Sequence, residues 1–405
     1  MMALRPLFVR SSCVKSLYKN GVLGIMGTWY SSLCFGRLFL KNVGLRGSVQ
    51  CSFKNHGGET MRRYTSLLLV AFMLVLLIAT ISDNLAGHAD RTRREKPLQA
   101  ITVYTTLPAE HVGILAGSYE KAKGVRVNFV PVTPEEVLQK ARMGNSGGQT
   151  KADLMLADQA TLEKAVMEGN LESYLSESTD SVGESFKDAE GKWTGVWYDP
   201  VVFCANRDYV RAVPRVPNTW TELSSMQEMR VGITDFLAAD AASNLFFSMM
   251  SQFGDTATYG ILRGIQPKVV QYSKYLSTPV RMAGMGEVDL SIAVQSEALR
   301  YIHQGYPLQI IYPEDGTAYT LTGIGLLKGA ENEANAKDFV EWLLGDEAQL
   351  ALQTKEFFFV PVNPATIAYK SFPGKDLVLF APPQPFTPQE RHELLDRWVK
   401  EVRLQ

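Results

Sequence analysis

The chain has 405 residues, with 41 Lys or Arg, 42 Asp or Glu, a formal net charge of −1 and a hydrophobic content of 46%. These values exclude a disordered, collagen-like or small disulfide-stapled protein, and the length allows two or three lobes with cores of their own. The near-zero charge hides an asymmetry. Residues 1–60 hold eight Lys/Arg against one acid, Glu59, whereas residues 90–405 hold 31 bases against 40 acids. An acidic body argues against nucleic acid as a partner, because phosphate contacts need basic surface.

Residues 66–81 read SLLLVAFMLVLLIATI, preceded by Arg62-Arg63 and followed by Ala86-Gly87-His88-Ala89. A basic flank, a short apolar core and small residues make residues 61–89 a secretory signal, or an N-terminal anchor if uncleaved. Either way the body is expected outside the cytoplasmic membrane: periplasmic, or tethered there. Met61 stands directly before the two arginines, so residues 1–60 are expected to be an upstream extension that is not translated. The rival reading is an Arg-rich transit peptide. Cys13, Cys34 and Cys51 fall in that extension, which leaves Cys204 alone in the body. Residues 90–98 read as a linker.

From residue 100 short apolar strands alternate with helical patterns. ITVYT reads as a strand, Pro108–Lys123 as a helix, VRVNFV as a strand, Pro134–Arg142 as a helix, ADLMLA as a strand and Gln159–Glu168 as a helix. Glu177–Thr194 reads as a polar loop, TGVWYDPVVFCAN as an extended crossing and PRVPNT as a turn. A second alternation follows: MRVGIT, helix Ala239–Phe253, PKVVQY, a helix after Ser277, DLSIAV, helix Ser296–Gln304 and LQIIY. Asn335–Leu344, Asp346–Lys355 and Pro388–Val402 read as further helices. Such alternation predicts parallel sheets covered by helices, here in two lobes, each on its own sheet. Cys204, in the apolar run VVFCAN, is expected as a buried thiol. Trp193 and Trp197 are expected to pack.

In open α/β sheets ligands bind beyond the carboxyl ends of the strands. The loops so placed are 105–107, 158–159, 198–199, 234–240, 277–278, 295–297 and 314–317. Enzyme motifs fare poorly. Gly144-Asn145-Ser146-Gly147-Gly148 fits G-x-S-x-G but lies after a helix and before a strand, the reverse of a nucleophile elbow. Gly323-Ile-Gly325 lacks the spacing of a dinucleotide loop. His111, His303 and His392 are far apart in sequence, so no nucleophile–base pair is assembled.

The stretches ITVYTT, KADLMLADQATLEKAVMEGNLESY, WTGVWYDPVVFCANRDYV, PNTWTEL, GEVDLSIAVQSEALRYIHQGYPLQIIYPEDGTAY, ANAKDFVEWLLGDEAQLAL and VPVNP, in that order, are similar to periplasmic solute-binding proteins of ABC importers, in the branch for ferric iron and small polar solutes. The resemblance implies a type II-like two-lobed α/β fold with two crossing hinge segments, closure over a solute, and docking on a membrane permease. It places residues 99–200 and 318–363 in lobe 1 and residues 201–317 and 364–405 in lobe 2. A monomer without a cofactor is expected. Relatives that hold iron use adjacent tyrosines, a first-lobe acid and sometimes a histidine. Those positions fall on Ser296-Glu297, Asp158 and Pro108, so the tyrosine site is not supported. Their anion-holding helix start falls on Ala239-Asp240-Ala241, where an acid would repel phosphate.

What remains is acid-rich. Contacts to solute are expected from Thr105, Thr106, Asp158, Gln159, Tyr198, Asp240, Ser277, Gln295, Ser296, Glu297, Asp315 and Thr317, with Asp158 and Glu297 as candidate metal ligands. The plainer alternatives are that Asp240 caps its helix and that Glu314-Asp315-Gly316 makes a turn. The expected partner is a small polar or cationic solute, iron among the candidates. The competing functions are an exported hydrolase or transferase using the paired acids Asp158 and Glu297, and a membrane-tethered sensor subunit.

Overall fold

The computed structural model describes residues 73–74, 100–145 and 152–405. The expected extension, most of the signal segment, the linker and Ser146-Gly147-Gly148 lie outside the described residues. The chain divides into two units, residues 1–93 and 94–405. In the first, Met73 and Leu74 are helical and exposed. Among the described residues no helix is long and apolar enough to cross a membrane.

In the second unit the order is β1 (Ala100–Thr105), α1 (Ala109–Lys123), β2 (Arg126–Pro131), α2 (Pro134–Asn145), β3 (Leu154–Asp158), α3 (Gln159–Met167), β4 (Leu171–Glu172) and β5 (Thr194–Asn206). Next come α4 (Trp220–Ser225), β6 (Val231–Thr234), α5 (Asp240–Phe253), α6 (Asp255–Ile265), β7 (Val269–Ser273), α7 (Ser277–Gly284), β8 (Leu290–Val294), α8 (Gln295–His303) and β9 (Leu308–Ile311). The chain ends with β10 (Tyr319–Leu327), α9 (Glu333–Leu344), α10 (Asp346–Gln353), β11 (Val360–Pro361), α11 (Ile367–Ser371) and α12 (Pro388–Trp398), which runs into a wider turn over Val399–Arg403.

Two sheets of like pattern result. The first runs β2-β1-β3-β10-β5, with β1 parallel to β2 and β3, and β10 antiparallel to β3 and β5. The second runs β7-β6-β8-β5, with β6 parallel to β7 and β8, and β5 antiparallel to β8 and to β9. The sequence suggested separate sheets; instead β5 serves both. Its first half pairs with β10 and its second half with β8 and β9, and the handover falls at Pro200, which has no N–H to give to a ladder. All thirteen residues of β5 are buried, so the strand reads as a mostly apolar run broken at Asp199.

Each sheet has its own core. Ile101, Leu154, Trp197, Phe339 and Trp342 belong to the first. Phe203, Trp220, Phe246, Ile292 and Trp398 belong to the second. On the other face of the second sheet Val202, Cys204, Val280 and Leu308 form a smaller cluster. The alternation Val201, Phe203 to one side and Val202, Cys204 to the other is the two-residue period of a strand. Cys204 is fully buried, and burial pushes its thiol up to about 12. The chain leaves the first core after Phe372 and joins the second at Phe380.

Two elements escape the sequence pattern. Helix α6 buries Thr258, Tyr259, Leu262 and Ile265, a helical stripe diluted by Gly260 and Gly264. Gly264 is there for contact: a Cβ would lie 2.0 Å from the Ser224 hydroxyl. Strand β10 carries Gly323 and Gly325, where a Cβ would meet Thr194 and Lys192 carbonyls at 2.9 and 3.0 Å. The polar stretch 177–194 also holds two short helical turns, Glu177–Asp180 and Glu184–Phe186, the first closed by a Ser176 capping box.

Candidate functional site

In both sheets the strand order reverses beside the first strand, at β1/β3 and at β6/β8, and ligands of open α/β sheets gather at such switch points. On the second sheet β6 ends at Thr234, β7 at Ser273 and β8 at Val294, followed by Gln295. Thr234 and Ser273 are buried with hydroxyls that have no partner among the described residues. Gln295 is wholly buried; its Nε2 donates to the Pro373 carbonyl at 2.9 Å, while its Oε1 is unpartnered. Buried polar atoms are paired in the great majority of cases, so three orphans on three adjacent strand ends mark this edge. A cavity of about 20 Å³, room for about one water molecule, lies against Thr234, Val201, Phe236, Ala241, Leu276 and Ala293. The start of α5 beside it has no side-chain cap.

The crossing between the sheets carries a second constellation. Asp199, on β5, is 5% exposed and accepts from the Ser296 backbone N–H at 2.9 Å and from the Ser296 hydroxyl at 2.5 Å. Burial pushes its carboxyl up to about 7, against the two Ser296 hydrogen bonds; the Glu297 carboxylate adds to the rise. Tyr198 stacks on Phe186 at 5.3 Å, meets Tyr319 edge-on at 5.9 Å and donates to the Lys375 carbonyl at 3.4 Å. Burial raises the phenols of Tyr198 and Tyr319, the latter to about 12. Asn244, one turn into α5, donates to the Tyr319 carbonyl at 2.8 Å. The second crossing is tied down by Thr317, whose hydroxyl donates to the Val201 carbonyl at 2.8 Å, and by Asp315, which accepts from the Trp220 N–H at 3.0 Å.

On the first sheet Thr105 is wholly buried at the end of β1, and its Oγ1 accepts from the Leu107 N–H at 3.1 Å; Thr106 follows half-buried. Asp158 ends β3 and caps α3, accepting from the N–H and hydroxyl of Thr161 at 3.0 and 2.7 Å. Gln159 donates to Glu163 at 2.8 Å. Glu297 pairs with Arg300 within α8.

The structure thus gathers Tyr198, Asp199, Gln295, Ser296 and Glu297 at the crossing, and sets Thr105 and Asp158 at neighbouring strand ends. Ser277 opens α7 next to Leu276 of the cavity wall. Asp240 opens α5 exposed, and its charge acts on Arg391. Asp315 and Thr317 have their polar atoms engaged in holding the second crossing. Asp158 and Glu297, expected as metal ligands, are engaged by Thr161 and Arg300. Among the described residues no group of three or more His, Cys, Asp or Glu is placed to hold a metal ion.

Sequence reasoning named the loops holding Asp199 and Thr234 but not these residues as contacts, and it set His111 aside. His111 is half-buried between Phe357 and Phe359, at 5.0 and 5.5 Å, with an unpartnered Nδ1. Burial lowers its imidazole below the usual range, while Glu110 and Glu297 pull the other way. At the far end of α8, His303 Nδ1 lies 3.3 Å from Glu356, a non-glycine residue at φ 61°. The left-handed conformation costs an L-residue about 1–2 kcal/mol, more than an exposed ion pair returns. Glu356→Gly is therefore expected to raise stability by about 1 kcal/mol in thermal melts; a loss would contradict the assignment of strain.

"Iron uptake protein A1" of Synechocystis is 23% identical over 293 residues, 68% of this chain and 80% of that one. A Sinorhizobium fredii protein named "Probable ABC transporter periplasmic-binding protein" is 21% identical over 314 residues, 75% of this chain and 86% of that one. The periplasmic binding protein AfuA of Actinobacillus pleuropneumoniae, solved with fructose-6-phosphate bound, superposes with a TM-score of 0.57 at 23% identity, over 76% of this chain and 99% of that one. That likeness shows the two-lobed fold. The family profile of the bacterial extracellular solute-binding proteins matches residues 115–375, so the chain belongs to that family.

Proposed function

We propose that the protein is the exported receptor of an ABC importer, working as a monomer that closes its two lobes over a small polar solute and presents it to a membrane permease. Family membership and the named relatives support the receptor role. The observation that carries the placement of the site is the row of buried, unpartnered polar atoms, Thr234 Oγ1, Ser273 Oγ and Gln295 Oε1, at the carboxyl ends of β6, β7 and at the start of α8. Such atoms carry a desolvation cost of about 1–3 kcal/mol each, which a hydrogen-bonding solute offsets on the second lobe, and contacts added by the first lobe make the closed form bind it more tightly. That difference in affinity between forms is what drives closure. The lobe division proposed is 99–200 with 318–372 against 201–317 with 380–405, because Phe372 belongs to the first core and Phe380 to the second.

The solute proposed is hydroxyl- or amine-bearing. Asp158, which caps α3, and Asp240, exposed at the start of α5, place negative charge at helix starts where an anion would otherwise gain, and so disfavour one there. A thermal-shift screen of the protein against ferric citrate, calcium, polyols, amines, inorganic phosphate and fructose 6-phosphate tests this, since a ligand stabilises the form it binds. Shifts with polyols or amines are expected. A strong shift with either phosphate, or turnover of any solute, would contradict the reading.

Thr234→Val keeps the shape and removes the hydroxyl. It is expected to raise stability by about 1 kcal/mol and to weaken binding of the solute found in that screen at least tenfold by titration calorimetry. Unchanged affinity would take Thr234 out of the site.

A further inference from the structure

The family match ends at residue 375, yet residues 388–405 press on the loop 235–239 that leads from β6 to α5. Asp235, with its side chain 10% exposed, lies in that loop immediately after Thr234. Its Oδ1 accepts from the Leu237 N–H at 2.9 Å, and its backbone carbonyl accepts from the Ala238 N–H at 2.9 Å. Its Oδ2 meets the Arg403 guanidinium at 2.6 Å. The same guanidinium lies over the rings of Trp398 and Tyr272, at 5.8 and 5.6 Å. Phe236 packs on Trp398, which is wholly buried, at 4.8 Å. The Arg403 carbonyl in turn accepts from Gln266 Nε2 at 3.1 Å. Farther along, the charge of Asp240 acts on Arg391, whose guanidinium sits 3.9 Å over Phe247.

The loop so held carries the cavity-lining residues Thr234 and Phe236 on one side and delivers Ala241 on the other. A planar guanidinium that pairs with a carboxylate and stacks on aromatic faces fixes orientation as well as charge. We propose that Arg403 and Trp398 are positioning residues for solute binding: the C-terminal segment braces the β6–α5 loop and so sets the shape of the second-lobe wall. The proposal rests on the reading of that wall as solute-binding, but the brace itself can be tested without any solute.

Amide hydrogen exchange on the full chain, compared between wild type, Arg403→Gln, Arg403→Lys and Asp235→Asn, provides the test. In Arg403→Gln the Leu237 and Ala238 amides are expected to exchange at least tenfold faster, while Ile292 and Ala293 in β8 stay within twofold. Arg403→Lys is expected to restore part of the protection by keeping the charge without the stacking. Asp235→Asn should reproduce the effect of Arg403→Gln, and the double variant should add nothing to either single one. If Arg403→Gln does not fold, Asp235→Asn decides. Unchanged Leu237 and Ala238 exchange would overturn the brace. Equal acceleration of β8 would do so too, because the effect would then be general loss of stability. A normal brace with no solute found in the thermal-shift screen would leave the brace standing and count against the binding reading.

Discussion

Asp199→Asn is expected to remove a loss of stability that the protein undergoes as the pH rises from about 4 to about 7. In the unfolded chain this carboxyl ionises near its ordinary value of 3.8; in the folded protein burial holds its proton up to about 7. The native state therefore binds the extra proton between those values. The stability this group contributes is full below about pH 4, declines through that window and is constant above it. Three pKa units correspond to about 4 kcal/mol. Asparagine keeps an acceptor for the Ser296 N–H and supplies a donor to its hydroxyl, so the geometry at the start of α8 survives while the titration disappears. Urea denaturation of both proteins across pH 4–8 measures the difference. Parallel pH profiles would show that Asp199 is ionised in the fold, and that the crossing tolerates a buried charge.

Trp220→Ala is expected to cost about 3–5 kcal/mol, the usual range for emptying a large buried aromatic site. Trp220 is wholly buried, lies edge-on to Phe203 at 4.8 Å and donates from Nε1 to the Gly316 carbonyl at 2.9 Å. It thus supports both crossings at once, Phe203 being in β5 and Gly316 in the return segment. Trp220→Phe restores most of the packing but leaves the Gly316 carbonyl without its donor, so roughly 1–3 kcal/mol of the loss should remain. Denaturant midpoints at constant slope give both numbers. A loss below about 1 kcal/mol for Trp220→Ala would mean that the crossings are held elsewhere.

Much of this architecture is legible in the sequence because its central strands, β3, β5, β6 and β8, are buried on both faces and its helices are amphipathic. TGVWYDPVVFCAN announces a continuous buried strand, and the observed β5 begins and ends with it. What the sequence does not convey is that this strand serves two sheets. Its partner β10 lies more than a hundred residues away, and Gly323 and Gly325 disguise that strand as a loop. Helix α6 is hidden for a like reason: Gly260 and Gly264 lower local helix propensity, and the close approach to Ser224 that selects Gly264 is a tertiary fact.

The site divides along the same line. Strand ends can be placed from the pattern, so the loops holding Thr105, Asp158, Thr234 and Gln295 were in view. The roles of their side chains were not. Asp158 looks like a ligand until Thr161 is seen engaging both its oxygens. Asp315 and Thr317 look like a turn beside the cleft, yet they fasten the second crossing. Asp199 reads as part of an extended Tyr-Asp-Pro segment; its partner Ser296 stands 97 residues later. Thr234 became notable only because its hydroxyl is buried without a partner, a property of packing that no local signal records.

Small-angle X-ray scattering of the protein, alone and saturated with whichever compound shifts its melting temperature most, reports directly on lobe closure. A smaller radius of gyration on saturation, with one molecule bound per chain and the compound recovered unaltered, is the predicted outcome. An unchanged radius at full occupancy, or recovery of a reaction product, would contradict it.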